Sequence, residues 1–180
     1  MKRERFWTNF ARWSVYFVVA SFAGHWLEIL VQLVIRWFGG EGASFGIGAK
    51  PFEPYPVYGL AVFGMVMMWQ AVPGRLKKNV PMVFVLLTGV CALAEYLVGW
   101  LSIWRYGQNP FWNYAGKPFN LHGLICLQNA LLFGVAATAF MLLVFPWTEK
   151  LLDKLPRRVL FGVAAALWLV FWVCQIWFGH

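Results

Sequence analysis

An all-α polytopic membrane protein with five transmembrane helices is the fold this sequence predicts, and three observations carry the prediction. Hydrophobic residues make up 61% of the 180 residues, while Asp, Glu, Lys and Arg make up 12%, against roughly 45–50% and about 25% in soluble proteins. The apolar residues gather in long unbroken runs and lack the alternation of a lipid-facing barrel strand. The 15 Lys and Arg are spread unevenly over the connections between those runs. A surface so poor in charge excludes a soluble globular enzyme, and 12 Trp, 17 Phe and 6 Tyr exclude a disordered chain.

A bilayer core of roughly 30 Å needs about 20 apolar residues per helix. The first run, Trp13–Phe38, follows a tail carrying Lys2, Arg3 and Arg5. Ser21-Phe22-Ala23 imitates a signal-cleavage site, but the apolar run resumes at Ile29, so an uncleaved first helix is expected. The second run, Val57–Val72, is short and spans only by borrowing from Pro51–Pro56 or by slanting. Val80–Trp104, Leu121–Phe145 and Val159–Phe178 complete the set. Between the last two, Trp147, Leu151 and Leu155 form an apolar face opposite charges, the pattern of a helix lying in the interface. The N-terminal tail with Arg12, the Arg75–Lys78 turn and the Lys150–Arg158 segment hold eleven Lys and Arg; Arg36, Lys50, Arg105 and Lys117 are the four on the other side. This asymmetry places the N-terminus in the cytoplasm and the C-terminus outside a bacterial cytoplasmic (inner) membrane. The net charge of +8 is therefore topogenic, with membrane lipids as its partner and not nucleic acid.

Residues 1–180 read as one integral membrane domain containing an internal duplication. Glu28 and Glu95 are the only carboxylates inside apolar runs, and each is followed 22 residues later by the same tripeptide, Lys50-Pro51-Phe52 and Lys117-Pro118-Phe119. At the same offset of 67, Ser21 matches Thr88, Trp37 matches Trp104 and Gly40 matches Gly107; a three-residue deletion then aligns Tyr58-Gly59-Leu60 with His122-Gly123-Leu124. Repeat 1 covers about residues 13–73, repeat 2 about 80–145, and the fifth helix, 159–178, has no counterpart. Two hairpins running the same way make a parallel repeat about an axis along the membrane normal. Gly162-xxx-Ala166 has the spacing of a helix-packing motif, which makes a homodimer a candidate assembly.

At 100° per residue, Ser14, Ser21, His25, Glu28, Gln32 and Arg36 share one arc of the first helix, and Thr88, Cys91, Glu95, Gly99, Ser102 and Tyr106 share one arc of the third. Lipid offers no hydrogen bonds, so such stripes must face the bundle interior or a cavity. An ionisable residue there costs roughly 2.5–3.5 kcal/mol on insertion scales and marks a functional site. Two such acids facing each other share a proton, which is the chemistry of a proton- or cation-coupled carrier or of an acid/base catalyst. The bland alternative pairs each Glu with Arg36, Arg105 or backbone and leaves it pinning helix contacts.

His25 sits one turn before Glu28. His122 opens the predicted fourth helix, where His122, Cys126 and Asn129 share a face. No metal-motif spacing joins these residues, so neither metal nor cofactor is expected. Cys91, Cys126 and Cys174 all fall inside predicted helices, as small packing residues. The outer loops, Pro51–Gly59 and Trp112–Asn120, are rich in Pro, Gly and aromatics; Tyr58, Trp112 and Tyr114 serve there either as a lid over a cavity or as an aromatic belt. Walker A, HExxH and GxSxG motifs are absent, so the chain does not hydrolyse ATP by itself.

Gly24-His25-Trp26-Leu27-Glu28, Pro54-Tyr55-Pro56-Val57-Tyr58-Gly59, Glu95-Tyr96, and Trp112-Asn113-Tyr114 followed by Pro118-Phe119-Asn120-Leu121-His122-Gly123-Leu124-Ile125-Cys126-Leu127 form a pattern. It resembles that of the small bacterial membrane proteins called "putative ABC-transporter type IV" permeases, to which vertebrate transmembrane proteins of unknown function are related. The resemblance covers about residues 15–140 and is most specific over 112–127. It implies transport, without an established substrate. The family pattern carries Asp at the centre of Trp-x-Tyr and a basic residue after the glycine of Asn-x-x-Gly; Asn113 and Leu124 stand there in this chain, and both remove charge.

Three readings stay open. In the first, taken as the working expectation, a carrier or permease-like protein moves a small molecule or ion. Glu28 and Glu95 couple it to protons or cations, and His25, Gln32, Asn120 and His122 line the outer approach. Any ATPase is then a separate subunit docking on Trp147–Arg158. In the second, the chain is a non-catalytic scaffold or accessory subunit whose acids are structural. In the third, it is an intramembrane enzyme acting on a lipid or quinone, with the same carboxylates as acid and base.

Overall fold

The computed structural model describes residues 2–37 and 52–178; within the first helix, the side chains of residues 2, 3, 28, 31, 32 and 34–36 lie outside the described set. In chain order the elements are α1 (Lys2–Trp37), α2 (Pro56–Ala71), α3 (Gly74–Lys77), α4 (Val80–Tyr106), β1 (Asn120–Leu121), β2 (Ile125–Cys126), α5 (Leu127–Ala139), a π-helical turn at Phe140–Val144, α6 (Phe145–Asp153) and α7 (Arg157–Phe178). Among the described residues, three helical runs, Val80–Tyr106, Leu127–Asp153 and Arg157–Phe178, are long and apolar enough to cross a membrane. At 1.5 Å per residue they reach about 40, 40 and 33 Å, more than the roughly 30 Å required. α2 reaches only about 24 Å. It does not borrow from the preceding segment: Pro54 is buried, and the Tyr55 amide donates to the Ser21 carbonyl at 3.1 Å, so non-helical chain is laid along α1.

The chain divides into two compact units, Met1–Phe63 with Leu152–His180, and Gly64–Leu151. In the first, α1 packs on α7. Ala11, Ser14, Val18, Ser21 and His25 are buried at alternating three- and four-residue spacing, which puts them on one helix face. α7 answers with Leu160, Ala164 and Phe171, and Phe17 stacks on Trp168 with ring centroids 5.4 Å apart. Helix α1 starts well before the predicted Trp13 because its basic tail is anchored. Arg12 pairs with Asp153, and Arg157 reaches Glu4 at 3.3 Å. The second pair is solvent-exposed and contributes at most about 1 kcal/mol. Gly59 lets α2 approach α1 closely, since a Cβ there would run into the Phe17 carbonyl and the Ser21 hydroxyl. Gly162 and Ala166 lie on the exposed side of α7, and a Cβ on Gly162 would meet nothing. Among the described residues they are not the packing face of α7.

In the second unit, α4 opens with Asn79, whose Oδ1 accepts from the Met82 amide at 3.2 Å, and closes at Gly107, whose φ of 76° suits the left-handed cap. Its buried stripe is Val83, Leu87, Cys91, Glu95, Gly99 and Ser102. α5 crosses α4 at Gly134, where any side chain would collide with the Thr88 hydroxyl. Two expectations are corrected here. The fourth helix begins at Leu127, not Leu121, because residues 120–126 form a short antiparallel hairpin pairing Asn120 with Cys126 and Leu121 with Ile125. His122 and Cys126 therefore lie outside any helix and share no helical face with Asn129, and Tyr58–Leu60, in helix α2, have no local equivalent in His122–Leu124, in a turn.

The second correction concerns where the run that begins at Leu127 ends. Pro146 cannot donate to the Leu142 carbonyl, and its ring would crowd that carbonyl in a regular helix. The chain answers with the π turn just before it, in which the Phe145 amide reaches back to Phe140. The helix then continues unbroken to Asp153. Leu152 is buried, whereas Trp147 and Leu151, on the face expected to meet the interface, are 62% and 41% exposed, and the segment continues the helix from Leu127 where a separate interfacial helix was expected. Gly134→Val is expected to lower the unfolding stability in detergent by about 1–3 kcal/mol through overpacking against Thr88. Gly162→Ala, in open space, leaves the thermal midpoint unchanged or raises it.

Candidate functional site

The loop between α4 and α5 is built by its own amides. Asn120 spends its whole side chain on it: Nδ2 donates to the Ala115 carbonyl at 3.2 Å and the Lys117 carbonyl at 2.8 Å, and Oδ1 accepts from the Gly123 amide at 3.1 Å. The Leu124 amide donates to the Leu121 carbonyl across a tight turn in which His122 and Gly123 both have positive φ, 54° and 68°. That is the hairpin-turn pattern in which His, like Asn, is tolerated in the left-handed region and Gly is at home. The Trp112 indole donates to the Leu124 carbonyl at 2.7 Å, and the Tyr114 amide to the Gly123 carbonyl at 2.8 Å. Gly99 lets this loop lie on α4: a Cβ there would come within 3.0 Å of Leu124 and 3.3 Å of the Trp112 ring.

This arrangement delivers Tyr114 to Glu95, one turn before Gly99. The Tyr114 hydroxyl donates to Glu95 Oε1 at 2.8 Å and also bonds to Asn129 of α5. Burial first, and the neighbouring carboxylate second, hold the Tyr114 hydroxyl above the usual tyrosine range, so it keeps its proton and remains a donor. Glu95 is 8% exposed, and its Oε2 is buried without a hydrogen-bond partner among the described residues. Cys91, one turn away, and Cys126 are buried free thiols. A carboxyl group with one oxygen held and the other open, in apolar surroundings, is chemically an acceptor for a proton or for a donor-bearing ligand. Asn109 adds a buried Nδ2, close to Gly99, with no partner among the described residues.

The other sequence-predicted residues fall in different places. His122 is exposed and meets Tyr96, whose hydroxyl lies 2.9 Å from Nδ1. Tyr96 was not expected at the site; its adjacency to Glu95 is the signal that points to it. Trp112 and Tyr114 are structural anchors of the loop, and Tyr114 is also the direct partner of Glu95. His25, in the first unit, is fully buried edge-on to Tyr55 at 4.5 Å, and neither ring nitrogen has a partner among the described residues. Tyr58 covers Gly24, where a Cβ would strike its ring. The side chains of Glu28 and Gln32 lie outside the described residues. Among the described residues, no three of His, Cys, Asp and Glu gather as metal ligands.

A mostly helical chain with three spans of membrane length and an acid buried in one of them is a polytopic membrane protein. Residues 15–178 match the family described as "Putative ABC-transporter type IV", and the chain belongs to that family. No curated protein and no solved structure matches it. Asn113, which stands where the family pattern was expected to carry Asp, accepts from the Ala115 amide through Oδ1 at 2.9 Å. Either residue can make that turn, so the exchange removes charge and spares the geometry. Leu124, in place of a basic residue, is 3% exposed, where no cation would reach water. Asn120→Ala deletes three hydrogen bonds at once; amide exchange over residues 112–126 is expected to rise by at least about tenfold, for a loss of about 1–3 kcal/mol, while that of α7 stays unchanged.

Proposed function

We propose that this chain is a membrane carrier or permease-like subunit in which Glu95 takes up and releases a proton or small cation as a small molecule moves. The observation that carries this reading is the open, buried Oε2 of Glu95 beside an oxygen fixed by Tyr114. A scaffold gains nothing from leaving a carboxylate oxygen unpartnered in an apolar unit, whereas a carrier needs a group whose second oxygen is free to change partners. Glu28, the acid at the matching point of the first hairpin, is the proposed counterpart, with His25 one turn before it. Gln32, Asn120 and His122 belong to the proposed approach on the outer side.

The duplication belongs to the same proposal. In each hairpin a glycine of the second helix sits against a hydroxyl of the first: Gly59 against Ser21, and Gly134 against Thr88. Ser21 and Thr88 are paired by the 67-residue offset, which supports equivalent crossings. The extra residues before Gly134 then accommodate the β1–β2 hairpin. With α1 and α2 counted as spans, the chain crosses the bacterial inner membrane five times, N-terminus inside and C-terminus outside. An ATPase, if it serves this subunit, docks on the basic segment ending at Arg158.

In proteoliposomes carrying a pH-sensitive dye and an imposed potential, the wild-type protein is expected to pass protons above the protein-free background. Glu95→Gln should lower that flux at least about tenfold, the scale of a lost proton-transfer group. Tyr114→Phe should give an intermediate loss, and Lys154→Gln none. Wild-type flux in Glu95→Gln, or no flux in the wild type, sinks the proposal. For topology, a periplasm-dependent phosphatase fused after His180 should be active and the same enzyme fused at Lys78 inactive.

A further inference from the structure

We propose that the groove between α4 and the π turn is a site for one anionic phospholipid, independent of the Glu95 reading, with an acyl chain in the groove and the phosphate at the Arg75–Lys78 turn. The groove, about 490 Å³, is lined by Val80, Pro81 and Phe84 on one side and Val135, Ala139 and Leu143 on the other. Its one polar neighbour, Thr138, is closed off, because its hydroxyl donates to the Gly134 carbonyl at 2.7 Å. The groove thus offers an occupant no hydrogen-bond donor, and its apolar walls suit a hydrocarbon. It owes its shape to Pro146: the π turn widens the helix where Leu142 and Leu143 line the wall.

What distinguishes an acyl chain from a second protein helix is the charge at the groove's end. Val80 and Pro81 follow Arg75, Lys77 and Lys78 with the helix cap Asn79 between them. Lys77 lies over the Trp69 ring at 5.2 Å, which places an interfacial aromatic at this level. Arg75 and Lys78 are exposed and have no acidic partner among the described residues. Lys150 is exposed at the same end of the α5–α6 helix, two turns beyond Leu143. A second copy of the chain, seated symmetrically, would bring the same cations against these. A phosphodiester neutralises them, at about 1 kcal/mol for each Lys or Arg near the surface. A headgroup held without its chain would leave the groove unfilled, and a zwitterionic lipid would fill it without the charge match.

Native mass spectrometry of the full-length protein, with dioleoyl phosphatidylglycerol or dioleoyl phosphatidylcholine added in detergent, tests this. One phosphatidylglycerol per chain should be retained in preference to phosphatidylcholine. Arg75→Gln with Lys78→Gln should lower phosphatidylglycerol retention about tenfold, to the phosphatidylcholine level. Ala139→Trp, which fills the groove, should lose both lipids while keeping its helical circular dichroism. If that variant does not insert, Leu143→Trp replaces it, because that side chain is 73% exposed and the fold tolerates the exchange. Equal retention of the two lipids by the wild type overturns the proposal. So does unchanged retention in the filled groove, which would mean annular lipid, or displacement of lipid by a lipid-free dimer.

Discussion

Hydrocarbon offers no hydrogen bond, and the rest of this structure follows from that constraint. Backbone groups at membrane depth must be satisfied within the chain, so the long segments are helices, and a connection that folds back must carry its own partners. The stretch from Gly107 to Cys126 does so with Asn113, Asn120 and Trp112, each aimed at a backbone group of the same loop. Tied by these bonds, the loop brings the Tyr114 hydroxyl to Glu95 Oε1 at 2.8 Å. The acid is thus half-satisfied by design of the loop and half open. That asymmetry, more than the presence of a buried carboxylate, gives the site its chemistry.

Close approach between helices is the second consequence. With lipid as apolar as any side chain, helices associate through packing and small residues. Gly59 and Gly134 each let a helix backbone sit directly on a hydroxyl-bearing neighbour, Ser21 or Thr88. Ser21 returns its proton to its own helix, donating to the Phe17 carbonyl at 2.8 Å. Thr88 Oγ1 has no partner among the described residues, so the two crossings, alike in shape, differ in polarity. Pro146 works the other way: by breaking the regular ladder it opens a wall of the groove near the basic turn.

The departures from the family pattern also become intelligible at atomic scale. Asn113 keeps the acceptor oxygen that shapes the turn and gives up the charge; Leu124 is buried against Gly99, where a cation would be stranded. The loop of this chain is therefore uncharged at both positions.

Membrane residence, helical class and the buried stripe of α4 were legible in the sequence, because hydropathy and the 3.6-residue period are properties of consecutive residues. Cys91, Glu95, Gly99 and Ser102 read as one face from spacing alone and are buried, whereas Tyr106, read on the same face, is 59% exposed. The start of the fourth helix was not legible: residues 121–126 are as apolar as a span, and only the Asn120 and Gly123 hydrogen bonds turn them into a hairpin. Whether Gly162 sits on a packed or a lipid-facing side was not legible for a related reason, since the two sides are equally apolar. The partnership of Tyr114 with Glu95 joins residues 19 apart through a loop whose path depends on non-local bonds. Local periodicity carries no record of that path; the tertiary fold alone decided which tyrosine met the acid and which of its oxygens was left open.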